Sequence, residues 1–140
     1  AIRLQKELGE NAVIFSNFQL YARMHNLLLL RETVSQKPET VRKLLNALSR
    51  AEEFIQTHPQ QARDIITAYL GLDDAVVSEI WNPAEYRLSL DQALLIAMEN
   101  EARWAIKKKL TKTKTAPNFL NAFWIDGLRA VKPDAISLIY

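Results

Sequence analysis

Between His25-Asn26 and Arg31-Glu32 the chain carries four consecutive leucines, Leu27 to Leu30, an apolar run without alternation. Such a run is typical of a strand covered on both faces inside a parallel or mixed sheet. Burying four leucines contributes roughly 1.5 to 3 kcal/mol each, together comparable with the ~5 to 15 kcal/mol net stability of a whole domain. The pattern therefore predicts that these side chains leave water. Ala12-Val13-Ile14-Phe15-Ser16 is the other segment with the look of a strand. Two strands alone make a marginal sheet at best, so the sequence predicts a sheet completed outside this chain or by a partner.

Around these runs the apolar period is helical. Ala1 to Gly9 reads as the last turns of a helix ended by glycine, as expected of a start within a longer protein. Pro38 suits a first helical position, and Val41, Leu44, Leu45, Leu48, Ala51 and Ile55 then recur at helical spacing, predicting a helix from Pro38 to Thr57. Pro59 opens a second one, with Ile65, Ile66, Tyr69 and Leu70 on its apolar side and Gly71 closing it. Asp73 or Asp74 can cap a short helix through Trp81, and Asn82-Pro83 breaks it. After an extended piece, Tyr86 to Leu88, the capping-box pattern Ser89-Leu90-Asp91-Gln92 opens a long helix to about Leu110. Its stripe is Leu95, Met98, Ala102, Ala105 and Ile106, with an ion pair expected between Glu99 and Arg103. Thr111 to Asn118 reads as a loop, and Phe119 to Val131 as a last helix ended by Lys132-Pro133 before an apolar tail.

Composition narrows the class. A chain of 140 residues with 49% hydrophobic and 24% charged residues has the size and balance of one globular domain. The net charge of +2 is too small to imply nucleic acid or an anionic membrane as partner. The absence of cysteine excludes disulfides, a thiolate nucleophile and Cys-based zinc sites. No apolar run approaches the ~20 residues of a membrane span.

The order of these elements resembles the later part of the periplasmic substrate-binding proteins of ABC importers, in the branch serving sulfonates, taurine, nitrate and thiamine precursors. The residues that carry the resemblance are Pro38-Glu39-Thr40-Val41, Leu45-Asn46-Ala47-Leu48, His58-Pro59-Gln60-Gln61-Ala62, Tyr69-Leu70-Gly71-Leu72, Ala102-Arg103-Trp104-Ala105, and Ile125-Asp126 with Leu128, Val131 and Pro133. It covers essentially the whole chain. Each motif is common in helical proteins, and their order and spacing carry the likeness. Two departures stand out: the family's N-terminal strands and most of its second lobe are absent, and Lys107-Lys108-Lys109 stands where the family often has a glycine.

The resemblance implies an α/β, predominantly helical fragment, the C-terminal part of a bilobed fold with about two strands and five to six helices. Residues 1–25 would be the end of the second lobe and the hinge crossover, and residues 26–140 the returning strand and C-terminal helices of the first lobe. It further implies an exported, periplasmic or cell-surface protein that binds a small solute, anionic or heterocyclic, in an interlobe cleft without chemistry, and that meets an ABC permease. No cofactor, metal or nucleic acid is expected, and self-association of the piece is.

Candidate chemistry is sparse. Ser16, Asn17 and Tyr21 lie where a strand ends in a crossover, a common ligand position, and their hydroxyl and amide groups could bind an oxyanion; turn formation and packing compete with that assignment. Arg23 could neutralise an anion or be a plain surface residue. Trp81, Asn82 and Tyr86 could line a cleft rim or pack at a helix junction. His25 and His58 have no carboxylate at helical spacing. Glu52-Glu53 and Glu99/Glu101 do not converge on one point, so metal binding and paired acid-base catalysis are not expected. Lys107, Lys108, Lys109, Lys112 and Lys114 form a charge run that either meets phosphate or a membrane protein, or stays solvated at a helix C-terminus. No glycine-rich phosphate loop, G-x-S-x-G or H-E-x-x-H occurs, and no enzyme is expected. Beside the importer component stands a second hypothesis, a ligand-sensing or helical interaction domain of a signalling protein.

Overall fold

A computed structural model describes residues 2–13 and 24–139. These residues form α1 (Ile2–Leu8), α2 (Arg31–Gln36), α3 (Pro38–Thr57), α4 (Pro59–Leu70), α5 (Asp74–Ile80), α6 (Gln92–Lys107) and α7 (Ile125–Val131), with short 3-10 turns between them. The chain is predominantly helical, as expected. The prolines and glycines act as predicted: Pro38 and Pro59 open α3 and α4. Gly71, in the left-handed region at φ 60°, ends α4, and the Leu72 N–H then reaches the Thr67 carbonyl at 3.2 Å. That is a glycine-specific helix stop.

The chain divides into two compact units, one comprising Ala1–Leu27 with Glu53–Tyr86 and the other Leu28–Glu52 with Arg87–Tyr140. In the first, α4 packs on α5, burying Ala62 and Val77. Asp73 caps α5 by accepting from the Ala75 N–H at 2.9 Å, and Arg63 on α4 pairs with Asp74. Gln56 donates to the Pro83 carbonyl at 2.6 Å.

The second unit has the larger core: Val41 and Leu45 of α3, Leu95 of α6, Leu128 of α7, and Ala135 and Leu138 of the tail. A lone parallel bridge joins Leu90 to Ile136, with the Leu90 N–H donating to Ala135 and the Ser137 N–H to Leu90. Glu52 ties three segments together, accepting from Lys132 Nζ at 2.6 Å and from the Leu88 N–H at 3.0 Å.

Several expectations need correction. Among the described residues there is no strand, only the Leu90–Ile136 bridge. Ala12 and Val13 are not in a ladder, and residues 14–16 of that expected strand lie outside the described residues. Asn26 to Leu30 is not helical, yet none of its N–H groups donates to a described residue. The leucines are exposed rather than buried, Leu28 at 84% and Leu30 at 74%, because the described residues offer no strand to pair with them. Arg31 opens α2 instead of ending a strand. Asp91, not Ser89, is the N-cap of α6, accepting from the Leu94 N–H at 3.0 Å; the bridge to Ile136 keeps Leu90 extended, so the helix cannot start sooner. The stretch 119–131 is broken into a 3-10 turn, Phe119–Ala122, and α7. Trp124 stands at the break as the residue before α7, its ring lying over Gly127, where an added Cβ would stand 2.2 Å from the ring.

Candidate functional site

The residues first in line for a ligand, Ser16, Asn17 and Tyr21, lie outside the described residues, as does Arg23. The second candidate group is fully described. Asn82 precedes Pro83, which forces it into extended backbone and ends the run that begins with α5. Its side-chain oxygen accepts from the Ala84 N–H at 3.3 Å and its amide donates to Glu85 Oε1 at 3.0 Å. The amide is thereby committed at both ends to the Pro83–Glu85 turn. Trp81 and Tyr86 flank that turn with ring centroids 5.0 Å apart and planes tilted by 38°, a packed aromatic pair. The structure thus brings Trp81, Asn82 and Tyr86 together, and as a clamp on a turn.

Among the described residues neither histidine forms an ion pair with a carboxylate. His58 stacks on Phe54 at 5.0 Å and shares a 2.8 Å hydrogen bond between Nδ1 and Thr57 Oγ1. Glu53 does not join Glu52 in its ion pair with Lys132, as adjacent helical positions require. Glu99 and Arg103 form the predicted pair at 2.8 Å. Among the described residues no group of three or more His, Asp or Glu is placed to hold a metal, and no helix is long and apolar enough to cross a membrane.

Two features escaped the sequence. The Glu52–Lys132 pair spans 80 residues, and no local spacing encodes a partner that distant. The other is the end of α6, where Lys109 has φ 57°, the Lys109 N–H reaches Ile106 at 3.0 Å and the Leu110 N–H reaches Ala105 at 2.9 Å. These bonds make the glycine-type helix stop with a lysine in the glycine position. Lys107-Lys108-Lys109 offers no glycine or asparagine to mark the stop in the sequence.

No protein-family model, curated protein or solved structure matches this chain.

Proposed function

We propose that this chain is the C-terminal part of a solute-binding component of an ABC import system, acting by cleft closure around a small anionic or heterocyclic molecule. The observation that carries the reading is the ordered series of motifs from Pro38-Glu39-Thr40-Val41 to Ile125-Asp126. Local structure supports it: α3 and α4 begin at Pro38 and Pro59, and Gly71 closes α4. The exposed Leu27 to Leu30 run supports it too, since a central strand deprived of its neighbours would expose its leucines in this way. On this reading Ser16, Asn17 and Tyr21 supply one wall of the cleft, and the protein works outside the cytoplasm beside a permease.

The test is calorimetry on the chain extended by whatever coding sequence flanks it, against taurine, alkanesulfonates, nitrate and pyrimidine thiamine precursors. Micromolar binding of one class, about -8 kcal/mol, that weakens when Ser16, Asn17 or Tyr21 is changed supports the proposal. A folded extended protein that gives no heat with any of them overturns it.

A further inference from the structure

From Arg103 to Ile125 the sequence contains no acidic residue, while Arg103, Lys107, Lys108, Lys109, Lys112 and Lys114 supply six cations. All five lysines are exposed, and none forms an ion pair among the described residues. Helix stabilisation accounts for only part of this run. Favourable interaction with the macrodipole fades within the last turn, whereas Lys112 and Lys114 lie beyond the end of α6. Lys109 moreover occupies a left-handed position that disfavours any side chain. Thr111 and Thr113 fasten the loop to itself, the Thr113 N–H donating to Thr111 Oγ1 at 3.2 Å, so the lysines alternate with the residues that hold the turn.

Beside this charge stand two large apolar side chains with little cover, Trp104 at 57% and Leu110 at 66% exposed. The combination of uncompensated lysines with an exposed tryptophan and leucine is that of a surface which enters the headgroup region of an anionic bilayer: the lysines meet phosphate and the tryptophan sits at the apolar boundary. Nucleic acid fits less well. Phosphate and base recognition favours the planar fork of arginine, and Arg103, the one arginine of the run, is already engaged by Glu99 and Asn100.

The geometry points to the C-terminal end of α6 and its following loop, residues 104–114, as a docking surface for an anionic lipid bilayer. This stands apart from the solute-binding reading and holds whichever ligand that reading concerns.

Co-sedimentation with vesicles of phosphatidylcholine, with and without phosphatidylglycerol, tests it. The chain is expected to bind only the phosphatidylglycerol vesicles and to be released as salt shortens the screening length. Replacing Lys107, Lys108, Lys112 and Lys114 by Gln should weaken binding by at least about tenfold, with the helical circular dichroism kept, and Trp104→Ala should weaken it further. The salt titration of the unaltered chain reads the same property with no variant required. Equal binding to neutral vesicles, no binding to anionic ones, or tighter binding to a single-stranded oligonucleotide at the same salt would overturn the proposal.

Discussion

Lys109 and Gly127 depart from ordinary helix chemistry in opposite directions. Lys109 takes a left-handed conformation at φ 57°, which costs an L-residue about 1 to 2 kcal/mol. Lys109→Gly should therefore raise stability by about 1 kcal/mol, offset in part by the greater freedom of glycine when unfolded; urea denaturation measures it, and an unchanged midpoint would show that Lys109 bears no such strain. Gly127 lies inside α7, where alanine would ordinarily be preferred by about 1 kcal/mol. Here the Trp124 ring occupies the space a Cβ needs, at 2.2 Å, so the half-buried indole has to shift to admit one. Overpacking of this kind costs about 1 to 3 kcal/mol and outweighs the propensity gain. Gly127→Ala should be destabilising.

At the scale of elements, what fixes α3 to the end of α7 is Glu52. Its carboxylate and Lys132 are largely shielded, 15% and 22% exposed, and the second carboxylate oxygen accepts the Leu88 N–H. Glu52→Ala removes both interactions and should cost about 2 kcal/mol, below the range for a fully buried pair because water still reaches this one. Glu52→Gln keeps an acceptor for Leu88 and should cost less; thermal melts that place Gln at or below Ala would refute the dual role. Asp91→Ala, removing the α6 cap, should cost about 1 kcal/mol, whereas Ser89→Ala should do little because Ser89 does not cap.

The contrast between Ser89 and Asp91 shows what sequence patterns encode. Proline, glycine and the Asp73 cap act through their own backbone and immediate neighbours, so α3, α4 and α5 could be read directly from residue order. The start of α6 depends on Leu90 meeting Ile136, and the Glu52–Lys132 pair on two segments far apart in the chain; neither leaves a local trace. The same limit governs the candidate site. Trp81, Asn82 and Tyr86 are close together because one proline turn joins them, and their proximity was readable. The commitment of the Asn82 amide to the turn, through its bonds with Ala84 and Glu85, and the packing of Trp81 on Tyr86 are not specified by composition.

For the whole molecule, the unburied leucines are the decisive property. Leu27 to Leu30 are all exposed, Leu28 at 84% and Leu30 at 74%, in a segment whose N–H groups donate to no described residue. Extended apolar backbone with free hydrogen-bonding groups is a template for another strand, and identical chains supply one at little cost. Alone in solution, the chain is therefore expected to associate with itself through this segment. Leu28 and Leu30 share one face of an extended chain, so Leu28→Lys with Leu30→Lys places two charges in the contact and should shift the population toward monomer. Sedimentation velocity reads both outcomes. A compact monomer that persists at high concentration, or association untouched by the double substitution, would show that the leucine run is not the contact.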